Sequence, residues 1–401
     1  MKKIGIYVHV PFCVRKCFYC DFLSFPAGEK ERERYVSGLL REISKESVRY
    51  GKYEVDSVFL GGGTPTVLSG EQIGRIMDGL RAGFSFGEEA EITIEANPGT
   101  MDIEKLESCR RAGINRISIG AQSLDDGELA LLGRVHSAKD FLEVYGLAGK
   151  AGFRNVNVDI MAALPGQSPE SYLNGLKKVI DLEPAHISAY SLMVEEGTPF
   201  YEWYGEDGKR KDGIASRFPT ALPTVLPSAL PSALPSEEEE REMYERTGEM
   251  LEAGGYYRYE ISNYARPGYE CRHNIRYWRR GDYAGFGLGA SSMVENVRWK
   301  NSTDMGKYLC CMEEESGDIK EEQCVLSIRD QMEEFMFLGL RMSEGVGKKD
   351  FYNAFGKSLE DVYGEIIEKL CAQGLLMDGD SVRLTPYGRD ISNYVMAEFL
   401  Q

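Results

Sequence analysis

The sequence has no long apolar run, a deficit of positive charge, and only four histidines and three tryptophans in 401 residues. No stretch approaches the roughly eighteen consecutive apolar positions of a membrane-spanning helix, so a transmembrane span is excluded. Lys and Arg number 47 against 64 Asp and Glu, for a formal net charge of −17. Nucleic acid is therefore not an expected partner, because a scaffold for it needs a basic face. The apolar run Ile4–Val10 after Met1-Lys-Lys is too short and too β-rich for a secretory signal, and no small-residue cleavage site follows it. The nine cysteines are an odd number, so a disulfide framework cannot use them all. A cytoplasmic, reducing location is expected. Peripheral membrane contact and oligomeric state are left open by the sequence. With 42% hydrophobic and 11% aromatic residues, the chain is rich enough in apolar side chains to build a core.

What is present is alternation. Short β-rich runs at Ile4–Val10, Val55–Leu60, Glu91–Ile94, Arg116–Ile119, Asn155–Ile160 and His186–Tyr190 are separated by helix-forming segments. Those segments are Glu29–Tyr50, Gly70–Arg81, Asp102–Ala112, Ala138–Ala151 and Pro169–Leu182, with cap-like residues at Ser69, Thr100 and Ser168. Repeated strand–helix units imply parallel strands joined by right-handed crossovers. Six units predict an α/β fold, a partial (β/α)6 TIM-like barrel, over residues 1–204.

Residues 205–240 interrupt this pattern. A tetrapeptide repeat, Thr220-Ala-Leu-Pro to Ser232-Ala-Leu-Pro, puts proline at every fourth position, and four glutamates follow at 237–240. Such spacing opposes both helix and ladder pairing and predicts a solvated insertion. Residues 241–320 are expected to complete the barrel and include a Gly- and aromatic-rich stretch from Gly254 to Trp299. Residues 321–401 carry helical spacing at Asp330–Met342 and Ser358–Gln373, then a hairpin pattern at Leu375–Leu384. That order predicts a small winged-helix-like domain. Its fifteen acids against eight bases favour a packing role over DNA binding.

The chemistry concentrates at Cys13-Val-Arg-Lys-Cys17-Phe-Tyr-Cys20, directly after the first strand. Three thiolates are one short of a tetrahedral zinc set, which would need His9 or a distant ligand. They suit an iron–sulfur cluster that leaves one iron open. Other polar or Gly-rich residues stand at the carboxyl ends of later strands, where such barrels form their sites. They are Gly61-Gly62-Gly63-Thr64-Pro65, Glu95, Gly120-Ala-Gln122 and Asp159, with Arg134 and His136 beyond the fourth strand. The glycine run lacks the Lys-Ser/Thr ending of a P-loop.

The Cys-x3-Cys-x2-Cys spacing after the first strand of a β/α repeat resembles the radical S-adenosylmethionine (SAM) superfamily. The resemblance implies a [4Fe–4S] cluster on Cys13, Cys17 and Cys20, with SAM chelating the fourth iron. The cluster's electron then cleaves SAM to methionine and a 5′-deoxyadenosyl radical. It also implies that Gly62, Gly63 and Thr64 meet the SAM amino-acid moiety. Tyr7, Tyr19, Glu95, Gln122, Arg134 and Asp159 would line the remaining cofactor surface, and an electron donor would be a partner.

Within that superfamily, Tyr7-Val-His-Val-Pro-Phe-Cys13, Gly61–Thr66, Ile119-Gly-Ala-Gln-Ser123 and Leu164-Pro-Gly-Gln167 resemble one branch. It contains oxygen-independent coproporphyrinogen dehydrogenase and the heme chaperone HemW family. The likeness spans the chain except about 205–240. Phe22 stands where the dehydrogenase has a fourth cysteine, and Cys13 comes too early for that enzyme's N-terminal extension. Tyr259–Gly268 and His273-Asn-Ile-Arg-Tyr277-Trp278 match the HemW pattern. The resemblance therefore implies a heme chaperone that passes heme to hemoproteins, with oxidative decarboxylation of coproporphyrinogen III as the alternative. It also makes His273 a candidate heme ligand. A histidine hydrogen-bonded into the core is the competing reading. His186 is expected to be structural, and Cys310, Cys311 and Cys324 receive no role. The glycine-rich 285–291 segment is either a backbone-approach loop or a turn.

Overall fold

The computed structural model describes residues 1–205, 208–209, 231–314 and 317–400. Strand side chains point alternately to opposite faces. Along β1 (Lys2–Val10), Ile4, Ile6, Val8 and Val10 are wholly buried on one face, and Gly5, Tyr7 and His9 occupy the other. The same logic organises β2 (Tyr53–Gly62), β3 (Ser85–Ala96), β4 (Arg116–Gln122), β5 (Asn155–Ala162) and β6 (His186–Ser191). These six pair in parallel in chain order, so the expected partial barrel is present.

The connections are helical: α1 (Glu29–Ser47), α2 (Gly70–Gly83), α3 (Ile103–Arg111), α4 (Asp126–Leu131), α5 (Ala138–Lys150) and α6 (Pro169–Asp181). Ser69 and Ser168 close capping boxes on α2 and α6, as their sequence positions suggest. Thr100 does not cap α3. It ends a short 3-10 turn, and the Asp102 side chain accepts the Lys105 N–H instead.

After α7 (Pro199–Tyr204), residues 206–207 and 210–230, which hold most of the proline repeat, lie outside the described residues. Glu237–Glu240, assigned from composition to the insertion, instead form the first turn of α8 (Glu237–Ala253). Ser236 and Glu239 make a capping box there, and four acids at a helix N-terminus sit favourably against its dipole.

Both sheet edges are then extended. Of the strands β7 (Tyr257–Arg258) and β8 (Asn263–Ala265), β8 pairs antiparallel with β6, and β7 pairs antiparallel with β8 at the edge. On the other side, after α9 (Arg272–Trp278), β9 (Tyr283–Phe286) pairs in parallel with β1. Beyond it lie β10 (Ser291–Val294), β11 (Val297–Asn301), α10 (Met305–Glu313) and β12 (Lys320–Val325). Among the described residues nothing pairs β7 with β12, so the barrel stays open. The glycine-rich segment makes the β9–β10 turn. Gly287, at φ +96°, donates its N–H to the buried Glu42 carboxyl at 2.8 Å.

The C-terminal unit has its own core around Met336, Phe351, Leu359, Leu370, Val382 and Phe399. Its order is α11 (Ile328–Gly339), β13 (Val346–Gly347), α12 (Lys348–Phe355), α13 (Leu359–Ala372), β14 (Leu376–Asp378) and β15 (Ser381–Leu384). This is the winged-helix order, with the hairpin where it was expected. The short helices α14 (Pro386–Asp390) and α15 (Ser392–Ala397) follow. The unit docks on the barrel through Glu334, which meets Arg280 at 2.9 Å and Arg298 at 2.7 Å. No helix among the described residues is long and apolar enough to cross a membrane.

Candidate cofactor site at the carboxyl ends of the strands

The loop after β1 has little regular structure, and main-chain bonds hold it. Cys13 N–H donates to Phe25 O at 3.1 Å, Phe18 N–H to Leu132 O at 3.0 Å, and Cys20 N–H to Cys17 O at 3.3 Å. Arg15, between the first two cysteines, clamps the loop to Gly133 O at 2.8 Å and Arg134 O at 3.0 Å. Cys13, Cys17 and Cys20 all line one cavity of about 380 Å³. That volume is in the range of small-ligand sites. Cys13 Sγ is 3.4 Å from Thr64 Oγ1, and Cys17 Sγ is 3.7 Å from Arg134 Nη1. Burial pushes the Cys20 thiol up to about 11, so it ionises only beside a positive centre.

Among the described residues no three His, Cys, Asp or Glu side chains are gathered as the ligands of a single metal ion. His9 cannot complete a zinc set as it stands. Its Nε2 bonds Leu23 O at 2.9 Å and its Nδ1 the Tyr7 hydroxyl at 3.0 Å. A cluster spreads its thiolates over several irons, so the wider cysteine arrangement suits it better.

The end of β2 supplies the glycine side of the cavity. A Cβ on Gly62, at φ +108°, would strike the His9 ring, and one on Gly63 would lie 2.6 Å from Phe12 O. Only glycine permits this close passage. Gly62 N–H donates to Glu95 Oε2 at 3.2 Å. Burial, reinforced by Asp159, pushes the Glu95 carboxyl up to about 8. Burial also raises Asp159, against hydrogen bonds from Asn157, Ser188 and Ser118. The Arg116 guanidinium opposes both shifts, yet burial outweighs it.

The opposite charge stands nearby. Arg134 is half-buried, gives Nη2 to Gly120 O at 2.8 Å, and leaves its buried Nε without a partner. A Cβ on Gly120 would lie 2.9 Å from the Gln122 amide nitrogen and 3.1 Å from Arg134 Nη2, so glycine there leaves room for both. Gln122 sits at φ +63°, a conformation non-glycine residues rarely hold without support. Its amide oxygen accepts the Tyr190 hydroxyl at 2.8 Å. Tyr19 is buried near Cys17 and Arg134, and burial raises its phenol.

The structure thus brings Cys13, Cys17, Cys20, Tyr19, Gly62, Gly63, Thr64, Glu95, Gln122, Arg134 and Asp159 to one cavity. Tyr7 and all four histidines fall outside its lining. Tyr7 does not line the cavity; it bonds His9 and stacks on Phe59 at 6.4 Å. His136, read as near the cofactor, bonds Asn97 Oδ1 at 3.1 Å and Ala121 O at 3.3 Å, and burial lowers it to about 4. His186 is structural, between Asn157 Oδ1 at 2.6 Å and the Tyr259 hydroxyl at 2.8 Å.

His273 lies in the interior beside Phe59. It is 1% exposed, with Nδ1 3.0 Å from Ser57 Oγ and Nε2 2.9 Å from the Tyr277 hydroxyl. Its ring stacks on Phe59 at 5.3 Å, and burial lowers it to about 3. With both nitrogens engaged, the imidazole has none free for heme iron.

Sequence reasoning passed over Arg15, Ser118 and Tyr190, which also line the cavity. Tyr190 lies near the end of the sixth strand, so the strand-end rule would have found it. Arg15 was inside the motif, but nothing local marks its clamp on Gly133.

Residues 7–179 match the Radical SAM superfamily, and residues 326–391 match the HemN C-terminal domain. The crystal structure of coproporphyrinogen III oxidase (HemN) from Escherichia coli superposes with a TM-score of 0.83 at 23% identity, covering 100% of this chain and 90% of that one. The fold is therefore that of a radical SAM protein. The heme chaperone HemW of Bacillus subtilis (strain 168) is 34% identical over 396 residues, 98% of each chain. That of Escherichia coli (strain K12) is 34% identical over 412 residues, 100% of this chain and 99% of the other. The chain belongs to the heme chaperone HemW family.

Proposed function

We propose that this protein is a cytoplasmic heme chaperone that holds a [4Fe–4S] cluster and SAM, binds heme, and delivers it to a recipient hemoprotein. One observation carries the cofactor half: three thiols, two carboxyls that burial raises and a half-buried arginine line one cavity. That set matches a soft metal cluster beside a ligand bearing both cationic and carboxylate groups. The heme half rests on the full-length relatives, which carry the name heme chaperone.

Cys13, Cys17 and Cys20 would hold the cluster, and the Gly62–Thr64 loop would offer N–H groups and a hydroxyl to the SAM amino-acid moiety. Glu95 and Asp159 would meet its cationic groups and Arg134 its carboxylate. Tyr19 and Gln122 would close the cavity walls. With an external electron donor, the cluster and SAM when bound supply one-electron cleavage chemistry. The chain's own contribution is to orient the ligand and exclude water.

Anaerobic reconstitution tests the cofactor half and is expected to give about four irons per chain; zinc without iron would defeat it. Hemin titration tests the other half, with a Soret band expected on saturation. Incubation with coproporphyrinogen III, SAM and reductant should give no protoporphyrinogen at turnover rates. Its steady formation would make the chain the dehydrogenase instead.

A further inference from the structure

Asn97 stands one position past the end of β3, half-buried, and lines the cofactor cavity. Every polar group it carries is engaged within the protein except one. Its N–H donates to Thr66 Oγ1 at 3.4 Å. Its carbonyl accepts the Thr100 N–H at 2.9 Å and the Thr100 hydroxyl at 2.7 Å. Its Oδ1 accepts the Gly99 N–H at 3.2 Å, and His136 Nδ1 meets the same oxygen at 3.1 Å. A backbone N–H needs an acceptor, so Gly99 fixes which end of the amide is oxygen. The amide Nδ2 is left with no partner among the described residues, and it is not among the buried polar atoms that lack one.

We propose that Asn97 is a further ligand contact of this cavity, donating Nδ2 to the carboxylate of bound SAM beside Arg134, and that His136 is the positioning residue that holds the amide in that orientation. The proposal rests on the SAM reading of the cavity and adds a residue to it.

The placement favours the carboxylate. Asn97 is still extended, at φ −97° and ψ 129°, so its side chain shares a face with Glu95 two positions earlier. Ala96 pairs with Ile119, which brings Asn97 level with Gly120, the residue whose carbonyl takes Arg134 Nη2 at 2.8 Å. Asn97 and Arg134 therefore present donors from one part of the wall, while Glu95 and Asp159 present acids. A carboxylate has two oxygens with about four acceptor sites, more than one guanidinium fills.

The 3-10 turn that Asn97 caps does not need the amide nitrogen. Only Oδ1 serves the cap, and Ser or Asp would cap as well. That separates the two roles experimentally. Asn97→Asp keeps an oxygen for both Gly99 and His136 and loses the donor. Asn97→Ser keeps a cap, stays neutral, and stops short of the Nδ2 position.

The test is calorimetric titration of SAM into the reconstituted protein, with affinities taken per cluster-bearing chain. Each Asn97 variant is expected to weaken SAM binding about 10-fold, with the unfolding midpoint near the wild-type value. His136→Leu is expected to weaken it too, and the double variant with Asn97→Ser should bind no more weakly than Asn97→Ser alone, because one residue acts through the other. If either Asn97 variant binds SAM like wild type, the contact is wrong while the SAM reading stands. Additive losses in the double variant would remove His136 from the positioning role. If the wild-type reconstituted protein binds no SAM, the SAM reading fails and takes this proposal with it.

Discussion

Cys17 Sγ lies 3.7 Å from Arg134 Nη1, across 117 positions of sequence. The contact joins the cysteine loop to the segment after β4, and Arg15 reinforces it by binding the Gly133 and Arg134 carbonyls. The two halves of the cavity are thereby set against each other before any ligand arrives.

Removing that sulfur should abolish the cluster. Cys17→Ala is expected to lower iron content after anaerobic reconstitution from about four per chain to near zero, with loss of the broad thiolate-to-iron absorption. Iron retained at the wild-type level would show that the ligands lie elsewhere.

Arg134 should act on SAM. A charge-assisted hydrogen bond is worth ~1.5–3 kcal/mol, so Arg134→Gln is expected to weaken SAM binding roughly 10- to 100-fold. Calorimetry on the reconstituted protein measures this. An unchanged dissociation constant would remove Arg134 from the carboxylate role.

Glu95 should make stability fall with rising pH. Its carboxyl is raised to about 8 by burial and then by Asp159, while the unfolded group titrates near its ordinary value. Between about pH 4.5 and 8 the native state therefore holds a proton that the unfolded chain has released, and stability declines through that window. The loss over that window is at most ~5 kcal/mol. Glu95→Gln keeps an oxygen for the Gly62 N–H and should flatten the decline, measured as denaturant midpoints from pH 5 to 8 on cofactor-free protein. A slope as steep as wild type would show that another group carries it.

His273→Ala should be a stability variant. It removes a stacked, buried ring and leaves Ser57 and Tyr277 without their shared partner. The expected cost is ~3 kcal/mol, read as a lowered unfolding midpoint. A midpoint within experimental error of wild type would contradict the core placement.

Glu334→Ala should loosen the C-terminal unit. It strips the shared partner from Arg280, whose side chain is only 9% exposed, and from Arg298. Losing one member of a buried pair costs roughly 3 kcal/mol or more. Limited proteolysis is expected to cleave the winged-helix unit from the barrel sooner than in wild type, and equal cleavage rates would argue against that contact as the clasp.

The strand–helix order, the cysteine loop and the glycine passage after β2 were legible because each depends on neighbours along the chain. Period-two burial marks a strand within a few residues, and three cysteines in eight positions need no tertiary information. The start of α8 was legible too: Ser236 and Glu239 form a capping box, but the adjoining proline repeat drew the reading toward an insertion.

Sequence by itself determined the class of fold, the cysteine loop and most residues that line the cavity, because strand ends and short motifs bring them together by local geometry. Only the tertiary structure decided what each histidine does. The sequence leaves His273 between a ligand and a core histidine, and the Ser57 hydroxyl that meets one ring nitrogen comes from 216 positions away. Only the tertiary structure, likewise, left the Asn97 amide nitrogen to the cavity. The amide oxygen is held by Gly99 two positions on and by His136 from 39 positions away, a meeting that follows from how the segment after β4 folds against the end of β3 rather than from any run of residues.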